Sequence, residues 1–351
     1  ALTTVALLIV AGLFAFLIYL YFFVPFRGVI DAFQRVNLFY ILLAFIALFM
    51  SAVFYSLTWQ RLLNLLSVKA SFLKVFQFVW VANFVDLLVP AESVSGDVSR
   101  IYLMSKESGA NAGKVVASVF SHRILAMSMT LGSLIISTIY FAVKYKPPSL
   151  VLELVAIIAV GSVISISLLF YLGTRKEATE KIVNWLINLL VRLSRGRWQF
   201  ERLKSSAKKM LGAFHEGILT LGRNPKGLIL PLFLSIFAWF LDILISVLVF
   251  LSFGSLETSI SLSAIVIVYS ISVAIHYIPA VSGEVGILEI VMTSLFTLLG
   301  NPQASGVYAA ATIIIRTLTL WVRLFLGGLT VQLLGIKSLM SPVESPSAEP
   351  E

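Results

Sequence analysis

Long apolar segments separated by short polar ones run along nearly the whole chain. Several of them reach about 20 residues with few charges, which is enough for a helix to cross a hydrocarbon layer roughly 30 Å thick. A bilayer core offers no water to the backbone, so such segments must be helical. The pattern predicts membrane-spanning helices at residues 2–24, 38–57, 115–143, 150–172, 228–251 and 307–334.

Two further apolar segments are too short to span. The first ends at Pro90 and the second at Pro279, and each is followed by a polar stretch and another short apolar helix. Their lengths favour re-entrant pairs of broken helices, at residues 75–110 and 262–300, over two full crossings each.

The composition supports a membrane protein. Of the 351 residues, 59% are hydrophobic and 12% charged, whereas a soluble domain has roughly twice that charged fraction. The net charge of +9 is attributed to cytoplasmic loops and anionic lipid head groups, and no nucleic-acid partner is expected. The absence of cysteine excludes disulfides and thiolate metal sites.

Residues 174–226 form the main polar region, in which Lys and Arg outnumber acidic residues. Apolar residues at helical spacing predict basic amphipathic helices on the cytoplasmic leaflet, or alternatively a solvated linker between two halves. The region separates a first membrane half, residues 1–173, from a second, residues 227–335. The positive-inside rule then predicts a multi-pass protein of the cell membrane with both termini cytoplasmic. The tail, residues 336–351, is rich in Pro, Ser and Glu and is expected to be disordered.

The two short pairs carry matching motifs. The first reads VPAESVSGDVSR at residues 89–100, and the second reads IPAVSGEVGILE at residues 278–289. Both have Pro-Ala followed by V-S-G-[D/E]-V, and an arginine, Arg123 or Arg316, follows about ten residues into the next span. Because three spans separate the copies, they must be inverted relative to each other. Inverted repeats built around broken helices are typical of membrane transporters.

The pattern therefore predicts an all-α, polytopic integral membrane protein with two inverted-topology repeats, each with a re-entrant pair. Glycines permit the tight turns that such a pair needs. The hairpin-turn residues are expected to be Pro90, Gly96, Pro279, Gly283 and Gly286.

Ionisable residues in apolar segments are expensive and normally pair with one another or face a wet cavity. One interpretation is structural, with Asp97 paired to Arg123 and Glu284 to Arg316. The other is functional: arginines bind phosphate through two parallel hydrogen bonds, and the acids orient them or couple protons. The candidate substrate-binding residues are Asp97, Arg100, Arg123, Glu284, Glu289 and Arg316.

Motifs for enzyme chemistry are missing from the sequence. It has neither the HExxH helix of metalloproteases nor a phosphate-binding Walker A loop. The chain is therefore interpreted as a non-enzyme that needs no cofactor or metal.

At these motifs the chain resembles the lysylphosphatidylglycerol synthase transmembrane-region family, also described as flippase-like or UPF0104-type. Residues that match the order of the first family motif include Pro90, Gly96, Asp97, Arg100 and Arg123. The second motif is matched by Pro279, Gly283, Gly286 and Glu289. One departure is Asp97, which stands where Glu is common and shortens the reach of the carboxylate.

The resemblance implies a flippase-like activity, the movement of a lipid with a polar head group between leaflets. In the multiple peptide resistance factor a similar region is joined to an aminoacyl transferase domain, and none is expected here after residue 340. Two alternatives stay open. The chain is either an ion-coupled transporter of a small anionic solute, or a non-transporting scaffold for a separate lipid synthase or glycosyltransferase.

Overall fold

The computed structural model describes residues 14, 16–22, 24, 26–88, 94–193, 200–254, 260–276 and 285–335, and the regular structure in these ranges is helical. The motif residues Pro90, Pro279, Gly283 and Glu284 and the tail lie outside them. The helices are α1 (Phe16–Phe22), α2 (Phe26–Gln34), α3 (Leu38–Leu65), α4 (Phe72–Leu88), α5 (Ser95–Ser108), α6 (Ala112–Tyr145), α7 (Ser149–Thr174), α8 (Lys176–Leu193), α9 (Phe200–Arg223), α10 (Pro225–Ser252), α11 (Leu262–His276), α12 (Ile287–Leu299), α13 (Ser305–Arg316) and α14 (Arg323–Leu334).

Five of these helical segments are long and apolar enough to cross a membrane: α3, α6, α7, α10 and the continuous run Pro302–Leu334. They confirm a polytopic helical membrane protein, at the places that the apolar segments predict. The first predicted span is described only from residue 14 onward. Residues 26–34, between the first two predicted spans, form the short helix α2, which packs against α13.

The antiparallel pair of α3 and α10 is the most extensive helix contact between the two halves. The backbone amide of Asn37, which begins α3, donates to the carbonyl of Ser252 at the end of α10, 2.8 Å away. At the opposite end, Gly227 of α10 packs against Leu65 of α3. Both helices begin at an asparagine whose side chain accepts a backbone amide, so each start is capped in the same way.

The helices α4 and α5 form an antiparallel hairpin. At its open end, Lys74 of α4 lies 3.3 Å from Glu107 of α5. At its closed end, Asp86 accepts hydrogen bonds from the hydroxyl of Ser95 (2.9 Å) and from the amide of Gly96 (2.6 Å). Because the first amides of a helix have no partner within it, this carboxylate caps the start of α5 from outside the helix.

The two glycines of the motifs that lie in the described residues serve different physical needs. Gly286 precedes α12 with a φ of 89°, a left-handed conformation that favours glycine. Gly96 lies inside α5 and permits close approach: a Cβ there would lie 2.6 Å from the carbonyl oxygen of Ala82. Gly286 therefore fits its predicted role in a turn, whereas Gly96 lets the two arms of the hairpin touch.

The first helix of each short pair (α4 of α4–α5, and α11 of α11–α12) packs against the long helical segment that follows the other pair. Gly327 of α14 approaches the carbonyl of Trp80 in α4, and Ser270 of α11 lies 3.3 Å from Ser133 of α6. The helices that precede α3 and α10 also pack across the two halves. The helix before α3, α2, packs on α13 of the second half, where Gly306 approaches Gly28. The helix before α10, α9, packs on α6 of the first half.

The predicted basic helices exist as α8 and α9. One face of α9 buries Leu211, Phe214 and Leu221 against the bundle, while Lys204 and Lys208 on another face are exposed. The region is thus integrated into the packing of the first half. Its contact with a cytoplasmic leaflet stays a prediction, as do the re-entry of the hairpins and the inversion of the halves in a membrane.

The contact between α6 and α9 gives a test of this cross-packing. A Cβ on Gly113 of α6 would lie 2.8 Å from the backbone nitrogen of Phe214, so Gly113→Ala must push the two backbones apart. We expect a loss of about 1–3 kcal/mol of stability, measured as a lower thermal unfolding temperature in detergent.

The control is Gly132→Ala in the same helix, where an added Cβ meets nothing within 4 Å. That substitution should leave the unfolding temperature unchanged or raise it slightly, since alanine favours helix. Equal unfolding temperatures for the two variants would contradict the close contact.

Candidate functional site

A cavity of about 320 Å³, with charged residues set into a largely apolar lining, lies between the two halves. It is lined by α3, α4, α5 and α6 of the first half and by α10, α11, α12 and the final helical run of the second. The described lining contains four arginines and three aspartates, so its formal charge is one positive unit if the histidines are neutral. The ionisable residues in this lining are Asp86, Asp97, Arg100, His122, Arg123, Asp242, His276, Arg316 and Arg323.

In the first half, Asp97 joins two arginines. Its Oδ1 accepts hydrogen bonds from Nε (3.0 Å) and Nη2 (2.6 Å) of Arg100. Its Oδ2 accepts one from Nη1 of Arg123, 2.9 Å away. One carboxylate therefore bonds to two guanidinium groups, and Asp86 is the second acidic residue that the first half contributes to the described lining.

The two arginines are held differently. Arg100 is only 3% exposed, and its guanidinium carbon lies 5.0 Å from the ring centre of Trp59 and 5.8 Å from that of Tyr55. Its Nη1 is also 3.4 Å from Nδ1 of His122. Arg123 is less enclosed, with 21% of its side chain exposed. A ligand in the cavity would therefore contact Arg123 more readily than Arg100. The buried Arg100, held against two aromatic rings, fixes the position of Asp97.

In the second half, Glu289 joins the start of α12 to Arg316 at the end of α13. Its Oε2 accepts the amide of Gly286 at 2.6 Å, and its Oε1 accepts Nε of Arg316 at 2.9 Å. Arg316 lines the cavity, and its Nη2 is buried with no hydrogen-bond partner among the described residues. A buried donor without a hydrogen-bond partner costs free energy.

The two ion pairs occupy corresponding places. Asp97 is the third residue of α5, and Glu289 is the third residue of α12. Their arginine partners follow 26 and 27 residues later. The sequence interpretation that pairs Asp97 with Arg123 is confirmed. The interpretation that pairs Glu284 with Arg316 stays a prediction, because Glu284 lies outside the described residues; within them, Arg316 bonds to Glu289.

Asp242 and Arg323 form a third ionic contact, and neither was among the predicted site residues. Oδ1 of Asp242 in α10 accepts hydrogen bonds from the hydroxyl of Ser51 (2.7 Å) and from Nη2 of Arg323 (3.0 Å). The hydroxyl of Tyr269 in α11 reaches its other oxygen at 3.5 Å. This cluster joins four separate helical segments at the cavity wall. A carboxylate inside an apolar span was the signal that could have placed Asp242 in the site.

Asp86 was also missed. It lines the cavity and caps α5, and its contacts within hydrogen-bonding distance in the described part of the chain are Ser95 and Gly96. The sequence signal was available, since Asp86 is a carboxylate within an apolar segment just ahead of the motif.

The final helix is distorted at the cavity. Residues Thr317–Val322 form a π-helical segment directly after Arg316 and directly before Arg323. Such segments insert an extra residue into a turn and often occur at functional sites. Here the distortion lies between two arginines that both reach the cavity.

These features define a multi-pass α-helical membrane protein with a charged cavity between two halves. The chain matches the family described as the Lysylphosphatidylglycerol synthase TM region over residues 4–327. It belongs to that family, as the motif residues indicated.

Similar proteins are described as UPF0104 membrane proteins. One from Pyrococcus horikoshii is 26% identical over 332 residues, covering 93% of this chain and 96% of that protein. One from Methanothermobacter thermautotrophicus is 24% identical over 292 residues, covering 83% of this chain and 84% of the relative. One from Methanocaldococcus jannaschii is 24% identical over 315 residues and covers 88% of each chain. The descriptions of these relatives name no enzymatic activity.

The buried pair of Glu289 and Arg316 gives a second test. Their side chains are only 6% and 10% exposed, so Glu289→Gln leaves a buried guanidinium without its counter-charge. We expect a loss of about 3–5 kcal/mol, seen as a large fall in the thermal unfolding temperature in detergent. The double variant Glu289→Gln with Arg316→Gln should recover part of that loss, because no unpaired charge remains.

The control for this cycle is Glu107→Gln, which breaks the exposed pair with Lys74 at the open end of the first hairpin. It should cost at most about 1 kcal/mol. If Glu289→Gln were no more damaging than Glu107→Gln, the ion pair would not stabilise the second half.

Proposed function

We propose that this protein moves a lipid with a polar or phosphate-bearing head group between the leaflets of a membrane. The observation that carries the proposal is the placement of Arg123 and Arg316. They come from corresponding helices of the two halves and line the same cavity. A guanidinium group can donate two parallel hydrogen bonds to a phosphate, which suits it to an anionic head group.

The packing of the halves supports a transport mechanism with inverted repeats. Corresponding helices α3 and α10 run antiparallel, and each hairpin contacts the long helical segment that follows the other hairpin. Transporters of this design bind substrate between the repeats and move one repeat against the other around the site. The cavity described here is lined by residues of both halves, as this proposal requires.

The carboxylates have a supporting role in this proposal. Asp97 and Glu289 hold Arg123 and Arg316 in place, and Arg100 in turn holds Asp97. A phosphate that enters the cavity competes with these carboxylates for the guanidinium groups. Partial release of an ion pair on binding would then couple the head group to the hairpins, which carry the carboxylates.

The family description supports a lipid substrate. It names the transmembrane region of a synthase whose product is a lipid. The relatives are described only as membrane proteins, so the support lies in the family and in the cavity.

A small anionic solute is the second candidate substrate. The cavity volume of about 320 Å³ is at the lower end of the range for ligand pockets, which suits a small anion as well as a head group. The two candidates differ in where the rest of the ligand lies, because a lipid also needs an apolar path for its chains.

The test is leaflet exchange of fluorescent anionic phospholipids and polyprenyl-phosphate lipids in vesicles that contain the purified protein. Arg123→Ala should slow exchange by about tenfold or more, as expected for the loss of one strong contact to a charged ligand. Arg123→Lys should retain only part of the activity, since lysine keeps the charge and loses the planar pair of donors. The double variant Glu289→Gln with Arg316→Gln should also slow exchange without leaving an unpaired buried charge.

The matched control is Arg27→Ala, which removes an exposed arginine of α2 that does not line the cavity. Its exchange rate should equal that of the wild type. Protein-free rates for every lipid with the folded wild type would reject the proposal. Uptake of a soluble phosphate compound by the same vesicles would then favour the solute transporter.

A further inference from the structure

An apolar groove of about 410 Å³ lies on another side of the helices that line the cavity. One wall is Phe84 of α4, and the other comes from the final helical run, including Trp321, Phe325 and Leu329. Phe325 is 65% exposed, so the groove opens on the outer surface of the bundle. In a membrane this surface faces hydrocarbon.

Two helical segments contribute to both the cavity and the groove. In α4, Asn83 lines the cavity and the next residue, Phe84, lines the groove. The final run repeats this change of side: Leu320 and Arg323 line the cavity, whereas Trp321 and Leu324 line the groove. The seam between these two segments is thus what separates the charged cavity from the apolar surface.

The seam is built with little side-chain bulk. Gly327 packs directly against the backbone of α4, where a Cβ would lie 2.6 Å from the carbonyl oxygen of Trp80. A Cβ on Gly328 would lie 3.2 Å from the ring of Phe84. At Gly328, the group that separates the cavity from the groove is therefore the ring of Phe84, and a phenyl ring can rotate. The π-helical segment Thr317–Val322 nearby in the same run also departs from a regular helix.

We propose that this groove holds an acyl chain of the transported lipid while its head group occupies the cavity, and that the seam between α4 and the final helix is the passage between them. The inference rests on the proposed lipid transport and deepens it. The cavity has room for a head group, and its arginines can bind an anionic one, whereas the described lining of the groove has no charged residue. The groove offers the opposite environment within the same two walls, so a lipid could keep its chain in apolar surroundings as its head group enters.

The chemistry of the groove identifies an alkyl chain as the occupant. Among its lining residues, Gln332 is the polar one, and the others are apolar or glycine. Such a surface gives an alkyl chain contact area without asking it to leave the hydrocarbon of the membrane. Ordinary membrane lipid would also touch this surface. A transported lipid differs from it because its acyl chain should occupy the groove only when its head group is bound in the cavity.

The experiment uses the full chain in phosphatidylcholine vesicles that contain an anionic phospholipid with a photoreactive diazirine in one acyl chain. After illumination, mass spectrometry locates the adducts. We expect them to concentrate on groove residues such as Phe325 and Leu329 in the wild type. They should fall by about tenfold in Arg123→Ala, because the head group no longer anchors the chain.

Gly328→Leu places a side chain in the groove and should reduce both the adducts and leaflet exchange. Its control is Gly161→Leu on the exposed side of α7, where an added Cβ meets nothing within 4 Å. That variant should exchange lipid at the wild-type rate. A diazirine probe on a neutral lipid supplies a second comparison that needs no substitution, and its adducts should not favour the groove.

Groove adducts that are equal in wild type and Arg123→Ala would show ordinary boundary lipid and overturn the proposal. Wild-type exchange in a folded Gly328→Leu variant would overturn it as well, and in that case the flippase function would still stand. If the wild type itself exchanged no lipid, the proposed flippase function would be rejected. The failure of the groove proposal and the failure of the flippase proposal are thus distinguishable. If Gly328→Leu does not fold, Phe84→Ala widens the seam instead, and adducts with unchanged yield and position would overturn the groove.

Discussion

The bonding of a carboxylate at the start of one helix to an arginine in the next is the interaction on which this structure depends. Charged groups in an apolar bundle are costly unless they are paired. Asp97 and Glu289 each occupy the first turn of the second hairpin helix, and each bonds to an arginine in the long helix that follows. The pairs fix where each hairpin sits, and they bring Arg123 and Arg316 to the same internal space.

That internal space persists because its walls cannot close on one another without burying charge. The antiparallel α3 and α10 form the framework between the halves, and glycines at the crossing points allow close backbone contact elsewhere. At the cavity, arginines, aspartates, serines and aromatic rings are set among aliphatic side chains. The polar groups there can bond to one another, to a ligand or to water.

In the proposed function, an anionic ligand competes with the carboxylates of the cavity for its arginines. Each arginine described there has a carboxylate partner, so the proposed phosphate ligand would gain its contacts partly at the expense of an existing ion pair. This competition would link ligand binding to the hairpins, because Asp97 and Glu289 belong to them. Membership of the Lysylphosphatidylglycerol synthase TM region family agrees with a site at which lipid chemistry meets a polar interior.

The sequence by itself determined the parts of this protein that depend on local pattern. The length of the long apolar segments predicted the spanning helices. Two apolar segments too short to span predicted the two helix pairs, and the repeated motif pointed to Asp97, Arg123 and Arg316. The sequence did not single out Glu289 as a partner of Arg316, because Glu284 and Glu289 have the same chemistry and both lie in the same motif ahead of Arg316. The tertiary structure also decided the contact of Asp242 with Arg323, which are 81 residues apart, and the cap that Asp86 provides for α5. These contacts follow from how helices cross, which hydrophobic periodicity does not record.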